Sequence, residues 1–162
     1  MIQLLPATSQ TQIEIIRTLF MEYAQSLNFS LCFQGFDKEL AELPGNYAPP
    51  SGRLLLAEYD GTIAGCVALR ALDATTCEMK RLFVRPQFRG AKIGKALTIK
   101  IIEEGHTIGY TRMVLDTVEE TMQSASQLYK KLGFTIIPPY YDNQACSSVC
   151  MELILNTTSI SL

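Results

Sequence analysis

Residues 84–97 read Val84-Arg85-Pro86-Gln87-Phe88-Arg89-Gly90-Ala91-Lys92-Ile93-Gly94-Lys95-Ala96-Leu97. Pro86 stops a strand, and a glycine-punctuated turn then opens a helix. The start of a helix leaves backbone N–H groups unpaired and carries roughly half an elementary positive charge. Glycines let such a backbone approach a phosphate closely, and Arg89, Lys92 and Lys95 add local charge. The chemistry this suggests is binding of a phosphate or pyrophosphate. The competing reading is a plain strand–turn–helix connection with a solvated basic turn. Two familiar phosphate loops are excluded, because the turn matches neither G-x-x-x-x-G-K-[ST] nor G-x-G-x-x-G.

Other reactive residue types are sparse. His106 is the only histidine, in Glu104-Gly105-His106-Thr107 after the expected helix, and reads as a loop residue. Cys77 stands beside Glu78, but no histidine is placed near it to activate a thiolate. The five cysteines are scattered, with no C-x-x-C pair and no histidine cluster. They are read as reduced, mostly buried residues, and neither a disulfide framework nor a metal site is expected.

The elements that must position the turn follow from periodicity. Ile2 to Pro6 reads as a short strand. Ile13, Ile16, Phe20, Tyr23 and Leu27 recur at steps of three and four, which predicts an amphipathic helix over 9–27 with Thr8 or Ser9 as its N-cap. A second short helix is expected from Asp37 to Leu43. Residues 54–59 and 62–69 read as two strands joined at Asp60-Gly61, a pair suited to positive φ in a tight hairpin. A further strand covers 76–84, a helix runs from about Ile93 to Glu104, and a strand spans Met113 to Asp116. Another helix covers about Met122 to Leu132, and the last strand about Val149 to Leu155, with an extra strand near 134–137. Strands and helices in this order imply an α/β sandwich with helices on both faces.

With 162 residues and no internal repeat, the chain reads as a single domain over 1–162. Fourteen basic residues against sixteen acidic ones give a net charge of -2, so no global field attracts nucleic acid or anionic membrane. The N-terminus lacks the basic and apolar regions of a signal peptide, and no run approaches the ~20 apolar residues of a membrane span. A cytoplasmic protein is expected, in which the sequon at Asn156 carries no meaning.

The turn resembles the acyl-CoA-binding motif of the GNAT N-acetyltransferases, [Q/R]-x-x-G-x-[G/A]. Arg89 and Gly94 match its first and last positions. Lys92 stands in the middle, where the family usually has glycine; a negative φ would accommodate its side chain. Glu78-Met79-Lys80-Arg81-Leu82-Phe83-Val84-Arg85-Pro86 is similar to the family's strand before the turn. Ala125-Ser126-Gln127-Leu128-Tyr129-Lys130-Lys131-Leu132-Gly133-Phe134 is similar to its next motif, a tyrosine-bearing helix ending at Gly-Phe. Together these cover an acyl-CoA-binding core of about 54–136. The resemblance implies an α/β fold with a mixed, mostly antiparallel central sheet and helices on both faces.

It also implies a reaction. Acetyl-CoA, or another short acyl-CoA, would lie in a V-shaped splay between two central strands. Its pyrophosphate would rest on Arg89, Gly90, Ala91, Lys92, Ile93, Gly94 and Lys95, and its pantetheine arm would pair with backbone near Leu82 and Val84. A strand N–H at Leu82 or Phe83 would polarise the thioester carbonyl. No metal takes part. A primary amine of a small molecule or peptide would attack directly. Tyr129 would protonate the leaving thiolate, against the alternative of a core residue on its helix. Glu78 would take the proton of the ammonium, directly or through water, against the alternative of a solvent-facing strand-end glutamate. Asp116, Glu119 and Glu120 are weaker candidates. Phe29, Phe33 and Phe36 would floor the acceptor pocket or form satellite core. Pro138-Pro139-Tyr140-Tyr141 would edge that pocket, make a homodimer contact or form a rigid turn. Two other readings compete: an acyl-CoA-binding sensor or interaction module without catalysis, and a nucleotide- or phosphate-binding protein of another class.

Overall fold

A computed structural model describes residues 1–27, 35–118, 123–140 and 148–155. The strands are β1 (Ile2–Pro6), β2 (Arg53–Tyr59), β3 (Thr62–Ala71), β4 (Thr76–Val84), β5 (Arg112–Val118), β6 (Thr135–Ile137) and β7 (Ser148–Ile154). The helices are α1 (Gln10–Ser26), α2 (Phe36–Glu42), α3 (Ile93–Ile108) and α4 (Gln123–Lys131). The strands form one sheet in the order β1-β2-β3-β4-β5-β7-β6, antiparallel throughout except for the β4/β5 pair. The mixed, mostly antiparallel sheet is therefore as expected. The late strand β7 inserts between β5 and β6, which no local pattern announces.

Alternation along the strands builds two cores. Leu55, Ala57, Val67, Leu69, Cys77 and Met79 meet Ile93, Leu97 and Ile101 of α3 and Tyr129 of α4 on one face. Leu54, Leu56, Cys66, Ala68 and Phe83 meet Ile13, Ile16, Leu19 and Phe20 of α1 and Phe36 of α2 on the other. Helix α1 begins with a capping box: Ser9 accepts from the Gln12 amide at 3.2 Å, and Gln12 Oε1 accepts from the Ser9 amide at 3.0 Å. The β2/β3 hairpin turns at Asp60 and Gly61, with φ of 50° and 84°, as the dipeptide predicts.

Helix α3 continues to Ile108, beyond the expected end at Glu104, so His106 lies exposed in its last turn and not in a loop. Gly105 does not stop the helix. It lets α3 approach the sheet, where an added Cβ would come within 3.1 Å of Met113 Cε and 3.4 Å of Cys77 Sγ.

Met79 and Phe83 are four residues apart and would share a face in a regular strand. They point into opposite cores because β4 carries a one-residue bulge, where pairing steps from Ala68↔Lys80 to Cys66↔Phe83. Arg81, at the bulge, has φ of 60°, a left-handed conformation that costs a non-glycine residue roughly 1–2 kcal/mol. Gly65 faces the same irregularity, and any Cβ there would lie 2.4 Å from the Phe83 carbonyl oxygen.

Candidate active site

The parallel pairing of β4 with β5 stops after Thr76↔Arg112, Cys77↔Met113 and Glu78↔Val114, while β5 keeps pairing with β7 as far as Val118. From Met79 onward β4 therefore leaves β5, and the sheet opens into a splay. Among the described residues no strand pairs with the β5-facing backbone of β4 there, so its polar groups are available to a ligand. Leu82 and Val84 are half-buried against the α3/α4 core, whereas Phe83 is buried in the α1/α2 core.

Below β4 the chain makes a 3-10 turn, Pro86–Phe88, and then the glycine turn. The Arg89 and Ala91 amides donate to the Pro86 and Phe88 carbonyls, both at 3.3 Å. Among the described residues, the amides of Gly90, Lys92, Ile93, Gly94 and Lys95 find no backbone carbonyl, and the first helical bond is Ala96 to Lys92 at 3.1 Å. The open amides are thus those of Gly90 and of Lys92 to Lys95, without Arg89 and Ala91. Arg89 is exposed and its Nε reaches back to the Val84 carbonyl at 3.3 Å. Lys92 and Lys95 are exposed, Ile93 is a core side chain, and Ala91 packs at the edge of that core. Gly94 is not demanded by packing, since an added Cβ would only touch Val84 at 3.7 Å.

Lys92 takes φ of 65°, the glycine-favouring region, so the negative φ that would accommodate its side chain is not adopted. The family's usual glycine at this position meets the same backbone requirement without strain. Lys92→Gly should therefore raise stability by about 1 kcal/mol, seen as a melting temperature higher by ~2–4 °C; an unchanged or lower midpoint would remove the strain argument.

At the apex of the splay, Glu78 is buried with 4% of its surface exposed, which rules out the solvent-facing reading. Arg70 Nε donates to its Oε1 at 2.7 Å, and Tyr140 Oη donates to its Oε2 at 2.6 Å. Burial raises the Tyr140 phenol, and the Glu78 carboxylate beside it raises it further. Burial alone would lower Arg70, but the Glu78 charge outweighs it and holds the guanidinium above its ordinary value. Tyr140 thus reaches Glu78 from the late loop.

Tyr129 is buried at the end of α4, its ring 5.6 Å from Phe134. Gly133 turns left-handed with φ of 104°, and the Phe134 amide returns to the Tyr129 carbonyl at 3.0 Å, which explains the Leu-Gly-Phe ending. Burial raises the Tyr129 phenol, and Tyr23 adds to that rise. Tyr23 belongs to α1 and packs against the opposite core.

The bulge is held from the α1/α2 side. Arg81 binds Glu39 of α2 with two hydrogen bonds of 2.9 Å, and its guanidinium lies 5.2 Å from the Phe36 ring centre and 5.9 Å from that of Tyr23. Phe36 is thus a core residue under this pair. Cys77 is buried on the α3 side and its thiol is pushed up to about 12, first by burial, which removes it as a nucleophile. Phe29, Phe33, Glu119, Glu120 and Tyr141 lie outside the described residues. Sequence reasoning did not single out Arg70, Arg81, Glu39 or Tyr23 for the site. Arg81 and Glu39 gain meaning only from each other, 42 residues apart; Arg70 gains it from Glu78 across the β3/β4 hairpin, and Tyr23 looked like one more residue of the α1 stripe.

Comparison with known proteins points the same way. Residues 14–134 match the acetyltransferase (GNAT) family. The chain is 43% identical over 139 residues to an uncharacterized N-acetyltransferase of Schizosaccharomyces pombe, covering 85% of each protein. Among solved structures, an acetyltransferase of the GNAT family from Staphylococcus aureus superposes with a TM-score of 0.79 at 20% identity, over 96% of this chain and 100% of that one. A GNAT family acetyltransferase from Elizabethkingia anophelis with acetyl-CoA bound gives a TM-score of 0.67 at 24% identity, over 95% and 98%. At these identities the structural likenesses speak for the fold alone.

Proposed function

Because the chain belongs to the GNAT family of acetyltransferases, we propose that it carries an acetyl or other short acyl group from acyl-CoA to a primary amine of a small molecule or peptide, by direct attack in a ternary complex. The observation that carries this reading is the splay between β4 and β5, with the buried Glu78 at its apex and an uncapped helix start at its foot. The acetyl-CoA-bound relative with the same fold supports the choice of donor.

The donor pyrophosphate rests on the open amides of Gly90 and Lys92 to Lys95, where the helix start favours negative charge. Gly94 leaves that backbone bare although packing would tolerate a Cβ. Arg89, Lys92 and Lys95 add charge that salt screens, so donor affinity should fall as ionic strength rises. The pantetheine arm runs along the open edge of β4 at Leu82 to Val84, and an amide at Leu82 or Phe83, turned by the bulge, polarises the thioester carbonyl. Arg70 and Tyr140 each occupy one position on the Glu78 carboxylate, which leaves further lone pairs to accept the acceptor's proton, directly or through water. Tyr129 donates to the departing sulfur.

The test is thiol release from acetyl-CoA over amino acids, polyamines, aminoglycosides and peptide N-termini, alongside calorimetric donor binding. Amine-dependent release, with acetyl-CoA bound more tightly than ATP, is the expected result. Donor binding without release for any amine would favour a non-catalytic acyl-CoA sensor, and tighter binding of ATP would point to another phosphate-binding class.

A further inference from the structure

Lys80 lies two residues beyond Glu78 on β4, on the same face and opposite Ala68 of β3. It is the first residue on that face after β4 has parted from β5. The arginines of this face among the described residues each have a counter-charge: Arg70 with Glu78, Arg81 with Glu39 and Arg112 with Glu152. Lys80 is half-buried and makes neither a hydrogen bond nor an ion pair among the described residues. The carboxylates within its electrostatic reach, Glu78 and Glu39, are each committed to an arginine. Burial first, and then the charge of Arg81, pull its ammonium down to about 8. A cation removed from water without a partner is unfavourable, and a ligand anion beside it would relieve that cost.

We infer that Lys80 receives a carboxylate of the acceptor, so that the acceptor is an amino acid: an amine toward Glu78 and a carboxylate toward Lys80 on one small molecule. This rests on the acyl-transfer reading above. Alternate residues of a strand lie ~6.6 Å apart, a separation that two flexible side chains can close to the span of a single amino acid. Polyamines and aminoglycosides would instead set positive charge against Lys80, Arg70 and Arg81, which disfavours them.

The test compares amino acids with their own carboxamides as acceptors in the thiol-release assay. For the unmodified protein, kcat/KM should favour the best amino acid over its carboxamide by about 10–100-fold, the worth of a charge-assisted contact. Lys80→Gln should shrink that preference to within about threefold, mainly through KM, and Lys80→Arg should restore much of it. Equal use of acid and carboxamide by the unmodified protein overturns the inference, whether or not the variants fold. So does an undiminished preference in a folded Lys80→Gln. Faster turnover of phosphoethanolamine than of any amino acid assigns the cation to a phosphate and overturns the carboxylate. Amine-dependent release with carboxamides and amino acids alike defeats this inference while the acyltransferase reading stands; no release with any amine defeats both.

Discussion

Replacing Tyr129 by phenylalanine should lower kcat by about 10²–10⁴-fold while leaving the affinity for acetyl-CoA little changed. The substitution removes one oxygen and keeps the ring, so packing against Phe134 and the rest of the α3/α4 core persists. In the proposed mechanism what is lost is a proton placed at the sulfur as it gains charge. Burial holds the phenol above its ordinary value, so it stays protonated through the assay range and serves as a hydrogen-bond donor to the developing thiolate. It follows that Tyr129 adds no limb to the pH–rate profile below about pH 10. Steady-state kinetics with calorimetric donor binding checks both points, and near-normal kcat in the phenylalanine variant would take Tyr129 out of the mechanism.

The second large effect concerns the pair that holds the β4 bulge. Glu39→Met should destabilise the protein by about 3–5 kcal/mol, because it leaves the Arg81 guanidinium buried without its counter-charge. That is a large fraction of the ~5–15 kcal/mol that single domains possess. Pairing it with Arg81→Met should recover most of the loss, since two apolar side chains leave no charge stranded. The pair also sets a pH dependence. Burial pushes the Glu39 carboxyl up, but the hydrogen bonds and charge of Arg81 outweigh it and hold the carboxyl below its ordinary 4.5. The folded value is the depressed one, so the contribution is complete above about pH 4.5 and is lost as pH falls through the lower folded value. Urea unfolding of both variants from pH 7 down to pH 3 measures this. A single variant as stable as the parent, or a double variant no better than the single, would contradict the account. In the proposed mechanism the same pair sets the backbone that would meet the thioester, so Glu39→Met should also weaken turnover in whatever fraction remains folded.

Much of this architecture could be read from local pattern. The α1 stripe, the Asp60-Gly61 hairpin, the strand–turn–helix from Val84 to Leu97 and the tyrosine helix ending at Gly133-Phe134 each lie within one stretch of chain, where periodicity and turn chemistry suffice. The bulge at Arg81 could not be read that way, because a residue taking φ of 60° in mid-strand is stabilised by Glu39, 42 residues away. Glu78 was found as a candidate, but its setting depends on Tyr140, 62 residues on, and on Arg70 across the hairpin. Helix α3 reads locally as ending at about Glu104, whereas it continues through Gly105, whose missing side chain serves close approach to Met113 and Cys77. The conformation of Lys92 could not be read from its type, since a side chain argues locally for negative φ whereas the turn into α3 takes it to 65°.

The central claim is direct transfer from a bound thioester to a bound amine, and initial rates of thiol release with donor and acceptor both varied test it most directly. The expected result is a family of intersecting double-reciprocal lines, with no thiol burst in the absence of amine. Parallel lines with an amine-independent burst would signal an acyl-enzyme and contradict the account.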